Sequence, residues 1–264
     1  MNLLPFRLVK TYMDFIDDDG NCFVAYRALL TWSLLKVRYS GVLFSTDTST
    51  GESFYFRDTP QRNELELHLK KADFFGIWKP EQQGMTEILY ASGEKKILWN
   101  CMHPNCQVDV FFRGRSYMGR GYMETLDLPL KPWQIPLHTL RWGRFLAGDI
   151  SIVWIQWEGN HPVNKLYFNG ALFTDIKYPE NEINFNGGKN KLTFVDPTII
   201  RKGKISGSLD KAPWLKHLFS KRILDTMETK YKSRCTFDTE SSGPISGWAL
   251  YEVVTWPSET SRVK

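Results

Sequence analysis

Six residues near the middle of the chain gather groups that could move a proton: Gly119-Arg120-Gly121-Tyr122-Met123-Glu124. Side chains alternate along a strand, so Tyr122 and Glu124 share a face. If that face lines a barrel lumen, Glu124 is a carboxylate among aromatic rings. Burial disfavours the charged form and equips such a group as a general acid. Tyr122 would orient the reacting group. Upstream, Trp99-Asn100-Cys101-Met102-His103-Pro104 supplies a second proton carrier. His103 precedes a proline, which puts it in a turn or at a strand end, and it is a candidate acid or base. Downstream, Arg141-Trp142-Gly143-Arg144-Phe145 sets two guanidiniums three residues apart. Arg141 and Arg144 are candidates to hold a ligand carboxylate or phosphate. Trp99, Asn100, Trp142 and Trp157 complete the expected ligand-binding set, because indole faces stabilise positive charge.

Each group also has a plainer reading. Glu124 can pair with Arg141 or Arg144 and pin a connector. The two arginines can form an ion pair at a domain junction and stack on an indole. His103 can sit exposed in a loop. No P-loop, no Gly-x-Gly-x-x-Gly opening a helix and no Gly-x-Ser-x-Gly elbow occurs, which argues against nucleotide enzymes and α/β-hydrolases. No His-x-His or His-Glu-x-x-His spacing occurs, and Cys101-x4-Cys106 lacks a second pair of ligands, so no metal and no cofactor are expected.

The elements that must position these residues read as strands. The chain has 264 residues, of which 42% are hydrophobic and 14% aromatic, with ten tryptophans. This describes a globular chain with a sizeable core. Segments such as Glu64–Leu69 and Gln107–Phe111 alternate, and turn signals such as Asp18-Asp19-Gly20 and Ser206-Gly207 recur at short intervals. Ala212–Lys221 is the best helix, with Pro213 near its first turn. The formal net charge of +5 is spread over segments that read as solvated turns rather than one element, so no nucleic-acid partner is expected. No apolar run spans a bilayer and no leader is read, so the four cysteines are expected as thiols in a cytoplasmic protein without integral membrane association.

The strongest organisational signal is an internal duplication with an offset of roughly 127 residues. Gly41–Ser45 falls on Gly170–Thr174, Leu65 and Leu67 on Leu192 and Phe194, and Lys96–Leu98 on Arg222–Leu224. Val108 and Val110 fall on Cys235 and Phe237, and Gly119–Glu124 on Gly247–Glu252. The halves are expected at 1–127 and 148–264. The Pro-, Trp- and Arg-rich segment 128–147 is expected as a connector. An all-β fold of two tandem antiparallel β-barrels is expected, with a short helix in the second half; an open sandwich fits the same periodicity. Glu252, at the place of Glu124, points to a shared architectural duty.

With two barrel-like halves and the Gly-x-Gly-Tyr-x-Glu and Leu-Arg-Trp-Gly-Arg-Phe segments in place, the chain resembles a known group. It is similar to the lipocalin-like superfamily of carotenoid 1,2-hydratases (hydroxyneurosporene synthases) and fungal decalin-forming cyclases. The resemblance is strongest from Ile97 to Phe173. It implies paired lipocalin-like barrels and cofactor-free hydratase, isomerase or cyclase chemistry on a hydrophobic small molecule such as a polyene or isoprenoid. It carries no catalytic residue over to this chain. The alternatives are a non-catalytic binder of a lipid or pigment and a carbohydrate-binding β-sandwich using Trp133, Trp142 and Trp157.

Overall fold

A computed structural model describes residues 4–56, 64–210, 213–240 and 242–257. The chain divides into two compact units, Met1–Lys131 and Pro132–Lys264. The first carries strands β1 (Leu4–Ile16), β2 (Cys22–Ser33), β3 (Leu35–Ser45), β4 (Thr50–Phe56), β5 (Glu66–Leu69), β6 (Phe74–Pro80), β7 (Met85–Ser92), β8 (Lys95–Phe112) and β9 (Arg115–Leu128). They form one antiparallel sheet in the order β4-β3-β2-β1-β9-β8-β6-β5, with β7 on β8. The second carries β10 (Leu137–Ala147), β11 (Ile150–Gly159), β12 (Val163–Phe168), β13 (Ala171–Phe173), β14 (Glu182–Phe185), β15 (Asn190–Lys204), β16 (Met227–Thr239) and β17 (Ser242–Thr255). Their order is β13-β12-β11-β10-β17-β16-β15-β14, and a bridge between Lys177 and Asn184 nearly closes the ring.

The two orders are the same order. In each half the first strand pairs with both the second strand and the last, and this joins the two ends of the repeat. The fold is therefore the expected tandem of antiparallel β-barrels. Two of the sequence matches fall on equivalent strands: β8 with β16, and β9 with β17. The other three are corrected. Lys96–Leu98 lies in β8, but Arg222–Leu224 lies in a helical turn, α2 (Lys221–Leu224). Gly41 sits inside β3, whereas Gly170 is a turn glycine with φ of 82°. Leu67 belongs to β5 and Leu192 to β15, which are not counterparts. Short apolar runs recur every strand, so they align readily one strand out of step.

The expected helix is also shorter than its pattern. Pro213–Leu218 is a 3-10 turn that precedes α2, and a second turn, α1, spans Ile205–Ser208; Ala212 lies outside the described residues. Of the segment read as a connector, Pro132–Gln134 is a 3-10 turn and Leu137–Ala147 is strand β10.

Aromatic rings pack the first lumen. Phe15, Phe23, Phe44, Phe74, Trp78 and Phe112 are all buried there with Met13 and Met123. The Phe23 centroid is 5.1 Å from that of Phe112 and 5.8 Å from that of Phe74. Each such pair adds about 0.5–1.5 kcal/mol beyond its area. Phe145, Trp154, Leu166, Phe185 and Phe237 fill the second lumen in the same way.

The first and last strands of each half approach too closely for a side chain at certain points. A Cβ on Gly119 would lie 2.4 Å from the Ile16 carbonyl oxygen, and one on Gly247 2.4 Å from that of Leu146. At Gly121 it would lie 2.1 Å from the Asp14 oxygen, which accepts the Trp78 indole N–H at 2.8 Å. Backbone cannot retreat there without breaking the ladder. Gly121→Ala is therefore expected to cost about 2 kcal/mol or more. Thermal unfolding followed by circular dichroism reads this as a melting midpoint lower by about 4 °C or more. An unchanged midpoint refutes the close-approach argument.

Candidate functional site

Pairing register settles which way Glu124 faces. Met123 packs in the first lumen with Met13 and Val42, so Tyr122 and Glu124 lie on the outer face of the sheet. The condition that would put Glu124 in the lumen is not met. The outer face is organised in rows that cross the strands. One row runs Cys101–Glu124–Tyr12–Tyr26–Gly41–Phe54. Beside it runs Trp99–Leu126–Lys10–Ala28–Tyr39–Phe56, and on the other side Tyr122–Asp14–Val24–Leu43–Glu52.

Glu124 is the focus of these rows. Its Oε2 accepts hydrogen bonds from the Trp99 indole N–H and from the Tyr122 hydroxyl, the latter at 2.8 Å. Both donors are neutral, and both suit a carboxylate, which only accepts when ionised. Tyr122 and Trp99 are buried, as are Tyr12, Cys101 and Asp14. The Tyr12 and Tyr122 rings meet edge to face at 6.2 Å. Burial, with Cys101 and Glu124 beside it, pushes the Tyr122 phenol well above its ordinary 10, so it stays a donor. Burial likewise pushes the Cys101 thiol well above 9.0.

The aromatic surface continues away from Glu124. The Tyr26 ring occupies the space over Gly41, where a Cβ would meet it at 2.7 Å. Tyr39 and Phe54 stack with centroids 5.3 Å apart. Lys10 Nζ lies 5.1 Å from the Tyr26 centroid, and the Tyr26 hydroxyl donates to Glu52 at 3.2 Å. Exposure rises along the way: Tyr12 is buried, while Tyr26, Tyr39, Phe54 and Phe56 are half-buried.

The equivalent place in the second half is built differently. Glu252 pairs with Trp142 across the ladder, as Glu124 pairs with Tyr12. Lys230 stands where Cys101 does, and its ammonium binds Glu252 directly. Lys230 also reaches Glu228 at 3.2 Å, and Glu228 accepts from Arg201. The duplicated carboxylate thus sits in an ion-pair chain in one half and under an indole and a phenol in the other.

Of the residues expected to act, the structure joins Trp99, Tyr122 and Glu124. Asn100 faces the opposite way, pairing with Thr125 and accepting from the Thr86 hydroxyl at 3.1 Å. His103 pairs with Met123 at a bulge, and the charge it feels is that of Glu64. Arg141 faces the second lumen and donates to Gln156 and Glu158. Arg144 is buried on the outer face of its own barrel with a bond to the Trp248 carbonyl at 3.3 Å. Trp142 and Trp157 are also buried on that outer face. The residues that sequence reasoning missed are Tyr12, Asp14, Cys101 and Tyr26. The repeat held a signal for one of them, since Tyr12 is the counterpart of Trp142. Among the described residues no group of His, Cys, Asp and Glu could hold a metal ion, and no helix is long and apolar enough to cross a membrane.

No family model and no curated protein matches this chain. Solved structures do. The chain is similar to a protein assigned as AttH from Nitrosomonas europaea, with a TM-score of 0.56 at 10% identity over 96% of this chain and 92% of that one. It is similar to CghA, solved with Sch210972, with a TM-score of 0.53 at 11% identity over 95% and 89%. Kievitone hydratase from Nectria haematococca gives 0.51 at 9% identity over 94% and 88%. At such identities the likeness is one of fold.

Two outcomes follow from the burial described above. All four cysteines are free and buried, and burial pushes the Cys235 thiol up to about 12. A thiol reagent at pH 8 is expected to label none in the native protein and all four in denaturant. Rapid native labelling refutes the packing around Cys101. Burial also lowers His103 below its ordinary 6.5. Between that lowered value and 6.5 the unfolded chain holds more proton than the folded one, so stability falls as pH drops through this window. Denaturant titrations from pH 7 to 5 are expected to show a shallower loss in His103→Gln.

Proposed function

We propose that the outer face of the first barrel is an active site for proton-transfer chemistry on an unsaturated apolar small molecule, without a cofactor. The observation that carries this reading is Glu124 held by Trp99 and Tyr122 amid buried aromatic rings. In its protonated form Glu124 delivers a proton to an alkene carbon, whose π pair forms the new C–H bond. The carboxylate left behind accepts the indole N–H and the phenol O–H, which favours the transfer. The cation rests against the faces of Trp99, Tyr12 and Tyr122. Water or a second alkene of the same molecule supplies the electron pair that quenches it. The proton then lost returns to Glu124, which closes the cycle as hydration, isomerisation or cyclisation.

The shape of the face supports an elongated substrate. Strands lie about 4.8 Å apart, so the row from Glu124 to Phe54 runs about 19 Å. A polyene or isoprenoid chain fits that length, lying on Tyr26, Tyr39 and Phe54 with one alkene at Glu124. The fold neighbours support the class, since one is named as a hydratase. His103 is separated from Glu124 by the sheet and is left out of this mechanism. The carbohydrate reading loses its basis, because Trp142 and Trp157 are buried and Trp133 is half-buried. Four free thiols suit a reducing compartment, and we place the protein in the cytoplasm on that ground.

The test is turnover of a panel of isoprenoid alkenes and polyenes, with products read by mass spectrometry as gain of one water or as isomers. At least one is expected to react. Glu124→Gln is expected to lower its rate by about 100-fold or more while binding of the fluorescent polyene trans-parinaric acid persists. Full turnover by Glu124→Gln overturns the mechanism. Binding across the panel without any turnover replaces the enzyme with a carrier of lipids or pigments.

A further inference from the structure

The mouth of the second barrel carries polar groups that the first-barrel chemistry does not use. Its lumen is layered by register. One layer runs Leu166–Trp154–Gly143–Tyr251–Tyr231. Trp154 lies across Gly143, where a Cβ would meet its ring at 2.4 Å, and Phe194 and Tyr251 flank it with centroids 5.8 and 6.3 Å away. The next layer outward runs Asn164–Gln156–Arg141–Val253–Thr229. An aromatic floor thus lies directly beneath a polar row.

That row is incompletely satisfied. Arg141 makes both of its hydrogen bonds, to Gln156 at 2.9 Å and to Glu158, through Nη1. Among the described residues its Nε and Nη2 edge has no acceptor. Tyr178 packs against this core, and its buried hydroxyl has no partner among the described residues. Arg141 is close enough for its charge to act on that phenol. Asn164 spends its N–H groups on the Thr174 and Ile176 carbonyls at 3.4 and 3.3 Å, which fixes the segment bearing Tyr178. Its buried Oδ1 has no partner among the described residues. Buried polar atoms are rarely left so. The Arg141 side chain is 38% exposed, so this row is reachable from solvent.

The unused groups specify a ligand. A guanidinium edge and a phenol O–H are donors that converge on a carboxylate. An amide oxygen asks for one donor. The floor asks for a flat apolar body. We propose that the mouth of the second barrel binds a small hydroxylated aromatic carboxylate. Its carboxylate lies on Arg141 and Tyr178, its hydroxyl donates to Asn164, and its ring rests on Trp154 and Tyr251. Glu158 stays on Nη1 at the exposed rim.

3-Hydroxybenzoate, whose hydroxyl cannot reach its own carboxylate, is the probe, titrated into the full-length chain by calorimetry with benzoate as comparison. 3-Hydroxybenzoate is expected to bind, and benzoate several-fold more weakly because Asn164 Oδ1 stays unpaired. Arg141→Gln is expected to weaken 3-hydroxybenzoate by at least about tenfold and Tyr178→Phe by about fivefold. Glu124→Gln is expected to bind as the native chain does. Tyr178→Phe keeps the ring, so it remains informative if Arg141→Gln fails to fold. No 3-hydroxybenzoate binding at millimolar concentration overturns the proposal. So does unchanged binding in Tyr178→Phe with a raised melting midpoint, which would make the hydroxyl an unpaired packing group. Loss of binding in Glu124→Gln would place the probe elsewhere and overturn it as well.

Discussion

Each half of this chain is joined beginning to end by a ladder between its own first and last strands. Arg7 and Asp127, which meet across the first ladder, are 120 residues apart in sequence. The contact is tight enough that Gly119, Gly121 and Gly247 face backbone carbonyls where any side chain would collide. The aromatic face around Glu124 depends on this ladder. It brings Tyr12 and Asp14 beside Glu124 and Tyr122, and it aligns the aromatic row that continues over β2, β3 and β4. Without it Glu124 would have Trp99 and Cys101 on one side and an open edge on the other.

The sequence disclosed the class of fold through period and repetition. Alternating runs, frequent turns and the recurrence of Gly119–Glu124 as Gly247–Glu252 were enough for two antiparallel β halves, but period does not separate a closed barrel from an open sandwich. Period alone does not say which alternate face is the lumen. Tyr122 and Met123 are both apolar enough to be buried, and both are. The sheet is covered on both faces there, so the polar-out rule gave no direction for Glu124. The same ambiguity let β3 align with the β13 turn. The bulges between Cys101 and Cys106 also hid that His103 faces away from the site it seemed to serve.

The shared carboxylate shows how a duplication can conceal a difference. Glu124 and Glu252 occupy one position in one ladder. What differs is the residue opposite on the neighbouring strand, Cys101 in one half and Lys230 in the other. Lys230 meets Glu252 with an opposite charge, whereas Trp99 and Tyr122 meet Glu124 as neutral donors. An equal position therefore does not imply an equal duty. In the second half the carboxylate belongs to an ion-pair chain with Lys230, Glu228 and Arg201 that locks β15, β16 and β17 together.

The closing ladders also govern how the chain can be made. The first strand of a half has no partner on one edge until the last strand of that half leaves the ribosome, and long-range pairing of this kind folds slowly. Through that interval β1 is an exposed edge, and edges recruit any strand of matching outline. Two closing strands in this chain share that outline, since β9 and β17 carry the same glycine and the same carboxylate in register. Synthesis order favours the correct match, because β9 is complete before β17 exists. Refolding from denaturant removes that advantage and leaves the choice to the side chains: Tyr12 with Glu124, or Trp142 with Glu252.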